Sequence, residues 1–145
     1  MYEIRTEIEI DASTANVWDT LMAFDRYAEW NPFVRQLEGQ PTVGSRLRAH
    51  LKNPGGTQMT VKPVVTHVEP QRRFAWLGNL MVKGLFDGQH FFELEPLDDT
   101  RSRFVHREEF RGLLLPFLRG MLDRDTRQGF ERMNRALKAR VEASN

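Results

Sequence analysis

The sequence predicts an α+β domain: a curved antiparallel sheet of about six to seven strands wrapped around a long C-terminal helix. Two short helices follow the first strand. Three observations carry this. Residues 3–10 alternate, with Ile4, Thr6, Ile8 and Ile10 on one face and Glu3, Arg5, Glu7 and Glu9 on the other, the pattern of a half-buried strand. Residues 33–112 read as strands and turns. From Pro116 onward, Leu118, Leu122, Met133, Leu137 and Val141 recur at helical spacing, with charged residues on the opposite side. Strands joined by short turns pair antiparallel. Their apolar face needs a cover, and only the last helix is large enough to supply it.

The elements follow in order. Ser13 is placed to cap a helix carrying Val17, Trp18, Leu21 and Phe24. Asp25 opens a short second helix that Trp30-Asn31-Pro32 ends, because proline forbids continuation. Strands are expected at 33–38, 44–52 and 58–68, with Pro63 marking a bulge or edge in the third. Asn53-Pro54-Gly55-Gly56 is a turn by composition. Further strands fall at 72–78, 86–94 and 100–110, the last two joined through Pro96-Leu97-Asp98-Asp99. Pro116 suits a first helical turn, and the final helix runs about 25 residues, nearly 40 Å.

Composition narrows the function classes. The chain of 145 residues is one domain's worth, and no linker or repeat divides it, so 1–145 is expected to be a single domain. Lys plus Arg is 21 against 20 Asp plus Glu, which argues against a general nucleic-acid binder. There is no cysteine, so disulfides, thiolate metal sites and a cysteine nucleophile are excluded. No apolar run is long enough for a transmembrane segment, and Met1-Tyr2-Glu3-Ile4-Arg5 lacks a signal-peptide core, so a cytoplasmic location is expected. Ser13, Ser45, Ser102 and Ser144 lie outside any Gly-x-Ser-x-Gly elbow, and no phosphate-cradling or dinucleotide glycine motif appears. No cofactor and no metal are expected.

Four segments carry a family resemblance: Ala12-Ser13-Thr14-Ala15-Asn16-Val17-Trp18 after an alternating strand; Tyr27-Ala28-Glu29-Trp30-Asn31-Pro32-Phe33; His90-Phe91-Phe92-Glu93-Leu94 with Thr100-Arg101-Ser102-Arg103-Phe104; and Glu108-Glu109-Phe110-Arg111-Gly112 before the last helix. Together they resemble the START-like or SRPBCC superfamily, in its polyketide cyclase/dehydrase and lipid-transport branch, across essentially the whole chain. The resemblance implies a helix-grip fold with a cavity between sheet and helix, open at one end. It implies a hydrophobic small-molecule ligand, such as a lipid, polyketide or aromatic metabolite. Members range from carriers to cyclases to sensors, so the fold alone does not choose among them.

The hairpin at 86–110 is the most informative segment. Phe92, Leu94, Phe104 and Phe110 fix the inward parity, which also turns His90, His106 and Glu108 inward. A turn centred near Asp98 sets His90 opposite His106 and Phe92 opposite Phe104. A one-residue slip would bury Arg103 and Arg107 instead. Buried titratable groups need partners. The three therefore contact a ligand, serve as general acid and base, or form an internally satisfied set. They are the candidate catalytic residues if the protein is an enzyme of cyclase, dehydratase or isomerase type.

The remaining ligand-contact candidates are Trp30, Asn31, Leu51, Met59, Phe74, Trp76, Phe92, Phe110, Gly129 and Met133. Each has a plain alternative: core packing for the apolar side chains, a turn cap for Asn31. Gly129, on the helix stripe, makes room for a ligand or for a closely approaching strand, or is a tolerated weak spot. Two loops are unusually apolar. Leu80, Met81, Leu85 and Phe86 lie in one, Leu114 and Phe117 in the other. They form a gate, an interface for a homodimer or membrane, or a patch packed on itself.

Overall fold

The computed structural model describes residues 1–79 and 83–144. Leu80 and Met81, two of the gate candidates, lie outside the described residues. Among these residues are eight strands: β1 (Tyr2–Ile10), β2 (Val34–Glu38), β3 (Arg48–Lys52), β4 (Gln58–Val61), β5 (Val64–Glu69), β6 (Arg73–Asn79), β7 (Asp87–Asp98) and β8 (Arg101–Arg111). They form a five-stranded sheet in the order β1-β8-β7-β6-β5 and a three-stranded sheet β2-β3-β4, with every pairing antiparallel. The expected strand at 58–68 is two strands. Pro63 cannot donate to a ladder, and the chain changes sheets there. Leu47 N donates to Pro63 O and Val65 N to Ser45 O, which ties the two sheets together.

Helices α1 (Thr14–Met22) and α2 (Tyr27–Trp30) follow β1, with a single 3₁₀ turn between them. Ser13 caps α1 through Asn16 N, as its residue type leads one to expect, whereas Asp25 makes no capping bond. The C-terminal helix is not uniform. It runs as α3 (Leu115–Met121), a π turn over Leu122–Thr126, and α4 (Arg127–Glu142). Helical spacing alone did not reveal that widening, which inserts one residue into the ladder.

α4 tracks β1 in the same direction. Arg127 donates to Arg5 O, Asn134 to Thr6, and Lys138 to Glu9 O, while Asp11 N donates to Glu142. This alignment presses the apolar stripe of α4, Phe130, Met133, Leu137 and Val141, onto the sheet's inner face, where all four are buried. Charges occupy the outer face. Arg107 binds Glu93 and Glu109 at 2.7 Å each and lies over the Phe91 ring at 3.8 Å. No helix among the described residues is long and apolar enough to cross a membrane.

Candidate functional site

Inward parity holds for His90, His106 and Glu108, but the register differs by two residues from the sequence expectation. His90 pairs with Glu108, Phe92 with His106 and Leu94 with Phe104. The hairpin tip is at Asp99-Thr100, where Asp98 accepts from Thr100 N and Arg101 Nε, and an irregularity between Pro96 and Asp98 shifts the pairing by one residue, from Asp98–Arg101 at the tip to Pro96–Ser102 beyond it. A two-residue shift preserves the pleat, so every side chain keeps its face.

The two imidazoles still meet, diagonally, with Nε2 to Nε2 at 2.7 Å. His90 is 2 % exposed and His106 is fully buried. Their protons are assigned by the groups behind them. Thr6 Oγ1 spends its one hydrogen on His106 O at 2.9 Å, so it accepts from Asn134 Nδ2, also at 2.9 Å. That turns Asn134 Oδ1 toward His106 Nδ1 at 2.9 Å, and Nδ1 must donate. His106 Nε2 is then bare and accepts from His90 Nε2–H. His90 Nδ1 is bare in turn, and it faces Glu108 Oε1 at 3.6 Å. That distance is too long for a hydrogen bond. Donation thus runs in one direction from His90 through His106 and Asn134 to Thr6, with Glu108 beside the His90 end.

Burial sets the charges. It holds the His90 imidazole well below its ordinary range, helped by His106 beside it. It pushes His106 down to about 3, against the opposing pull of hydrogen bonds to Asn134 and the Phe130 backbone. It raises the Glu108 carboxyl to about 8. At neutral pH the histidines are uncharged and Glu108 is mostly a neutral acid able to donate. Its side chain is 16 % exposed, so it is the member of the chain that reaches toward the surface. Gly88 makes its position available: a Cβ there would collide with the Glu108 carboxylate. The glycine therefore serves close approach across the sheet.

Aromatic rings fill the space around this chain. His106 stacks on Phe130 with centroids at 4.0 Å, and His90 stacks on Phe92 at 4.4 Å, with Trp76 at 5.0 Å. Phe74, Trp76, Phe92, Phe110 and Met133 are all core residues. Gly129 accommodates the Phe33 ring: a Cβ would sit 2.7 Å from Phe33 Cδ1. Phe33 in turn lies edge-on to Phe130 and His106. Sequence reading missed the roles of Phe33, Asn134 and Thr6. Asn134 carried a usable signal, a polar side chain on the stripe between Met133 and Leu137.

Open space lies outside this packing. A cleft of about 350 Å³ sits over Phe33 and Gly129 between Arg35, Lys52, Asn53 and Arg132. A second, about 190 Å³, holds Leu51 and Met59 beside Arg35. Neither is lined by His90, His106 or Glu108. Asn31 caps the turn, its Oδ1 accepting from Phe33 N and Val34 N. Its Nδ2 and Trp30 Nε1 are buried donors without a partner among the described residues. The apolar loops bind each other through Leu113 N to Gly84 O and Leu114 N to Leu85 O. Phe86 stacks on Phe110, Leu85 and Leu114 are half-buried, and Phe117 is 84 % exposed. No three His, Asp or Glu side chains converge as metal ligands among the described residues.

Solved structures share this architecture. The Zhui aromatase/cyclase from Streptomyces sp. R1128 superposes with a TM-score of 0.80 at 17% identity, over 97% of this chain and 93% of that one. A START superfamily protein from Mycobacterium smegmatis gives 0.80 at 17% identity over 100% of both chains. The di-domain aromatase/cyclase StfQ of the steffimycin biosynthetic pathway gives 0.78 at 17% identity over 98% of this chain, which spans only 51% of StfQ. At such identities the likeness is one of fold. A search of curated protein sequences finds no match. The sequence model of one family, described as polyketide cyclase / dehydrase and lipid transport, matches residues 1–142. With nearly its whole length matched, the chain belongs to the polyketide cyclase/dehydrase and lipid-transport family, and its fold is shared with a START superfamily structure.

Proposed function

We propose that the protein is a carrier or sensor for a hydrophobic small molecule, held between sheet and C-terminal helix with the Glu108 carboxyl as its polar anchor. The observation that carries this is Glu108 itself. It is a half-buried acid, uncharged at neutral pH, reaching toward the surface with no hydrogen bond made among the described residues. Such a group costs stability. A carbonyl or hydroxyl on a ligand would supply the partner it lacks. Room for the ligand comes from moving rings. Displacing one, such as Phe33, costs about 2 kcal/mol of burial, which an apolar ligand covering the same surface offsets.

The neutral dye Nile red, which is apolar and carries a carbonyl, tests this. Glu108→Leu is expected to weaken its binding about tenfold, the worth of one hydrogen bond to a buried site. The same variant is expected to raise the thermal midpoint at pH 8, because an ionising buried acid is gone. Opposite signs mark a residue kept for function at the expense of stability. Unchanged dye affinity would refute the anchor.

One observation favours a second reading, a cyclase or dehydratase. A carboxyl titrating near neutrality suits a general acid. On that reading Glu108→Gln abolishes turnover of a polyketide-like substrate while leaving its binding within a few-fold. The family's breadth supports both readings equally.

A further inference from the structure

We propose that the cleft over Phe33 binds the anionic headgroup, a carboxylate or phosphate monoester, of an amphipathic ligand. The proposal rests on the reading that the protein binds apolar small molecules, and it adds the class: the molecule carries a negative charge at one end. Arg35 on β2, Lys52 at the end of β3 and Arg132 on α4 surround the cleft, and no acidic residue lines it. The ion-pairing arginines among the described residues lie elsewhere. The outer-face arginines of β6 and β8 are matched to Glu69, Glu93, Glu95 and Glu109. Arg35, Lys52 and Arg132 make no ion pair among the described residues. In a chain of net charge +1, three unmatched cations converging from three separate elements are a local field, not a global one.

Arg35 is also held in place. Its Nη1 donates to Asn31 O at 2.7 Å and its Nη2 to Ala28 O at 3.4 Å, which fixes the guanidinium at the cleft edge before any ligand arrives. Preorganisation of this kind reduces the entropy lost on binding an oxyanion. The cleft floor is apolar: Phe33 and Pro32, with the bare backbone of Gly129. Phe33 is 4 % exposed and touches His106 from the inner side, so it separates the cationic cleft from the histidine pair. An amphiphile with its charge among Arg35, Lys52 and Arg132 has its apolar end on the ring that must move to open the interior. A volume of about 350 Å³ accommodates a headgroup and a short length of chain.

The test is a calorimetric titration of the full chain with decanoate, decyl phosphate and decanol, together with NMR titration by inorganic phosphate. The variant is Lys52→Gln/Arg132→Gln, both exposed positions. The expected result is that both anionic amphiphiles bind at least tenfold tighter than decanol. The double variant is expected to remove that advantage and leave decanol affinity unchanged. Tighter binding of decanoate or of decyl phosphate identifies the headgroup. Equal affinity for decanol and the anions overturns the inference and leaves the apolar-ligand reading standing. Phosphate shifts at Lys52 and Arg132 without binding of any amphiphile keep the anion site and overturn that reading. Neither shifts nor binding overturns both.

Discussion

Thermal midpoints recorded from pH 4.5 to 8 are expected to peak near pH 6.5 and to fall on both sides. On the acid side the buried imidazoles dominate. Their native-state values lie below the ordinary 6.5, so the unfolded chain binds more protons and stability is lost as pH falls below 6.5. Glu108 opposes this. Its native value is raised from 4.5 to about 8, so the native state holds the extra proton across that window, and stability is lost as pH rises through it. Between 4.5 and 6.5 two imidazoles outweigh one carboxyl. Above 6.5 the carboxyl dominates, while the unfolded imidazoles, half protonated at 6.5, offset part of its loss, and the net fall to pH 8 amounts to roughly 1 kcal/mol. In a chain of this size that is about 2–4 °C. Glu108→Gln is expected to flatten the limb between 6.5 and 8 while leaving the acid limb in place. A wild-type midpoint that stays level or rises over pH 6.5–8 would show that Glu108 is already ionised.

Replacing Asn134 by Leu, which has the same branching, is expected to cost about 3 kcal/mol in denaturant unfolding, because it leaves the buried His106 Nδ1 without a partner and Thr6 Oγ1 without its donor. The loss has a second signature. Without Oδ1 to receive its proton, His106 gains by moving the hydrogen to Nε2, and His90 must then carry its own on Nδ1, facing Glu108. Nitrogen NMR is expected to show Nδ1–H on His106 and Nε2–H on His90 in the wild type, and the reverse in the variant. A loss below 1 kcal/mol with unchanged tautomers would mean that Asn134 does not set the direction of the chain.

Much of this site is legible in the sequence. Period-2 alternation placed His90, His106 and Glu108 on one face, since the pleat allows only two choices and the other buries Arg103 and Arg107. The partner assignment was off by two because register depends on where the turn tip falls, and the irregularity at Pro96 lets the tip sit at Asp99-Thr100. Thr6 was visible as an inward residue of β1, but its link to Asn134 needed the run of α4 along β1, which no local pattern encodes. The filled interior was illegible for another reason. Whether Phe33 and Phe130 occupy the space or leave it open depends on side-chain rotamers and on the missing Cβ of Gly129. The cationic cleft joins positions 35, 52 and 132, whose proximity exists only in three dimensions.

The proposed function requires that an apolar molecule occupy this fold. Native mass spectrometry of freshly purified protein, followed by solvent extraction, tests it most directly. The expected result is a bound apolar species at near-unit stoichiometry, retained by wild type and depleted in Glu108→Leu. A clean protein mass, with no thermal shift from Nile red or from any of the decyl compounds, would contradict it.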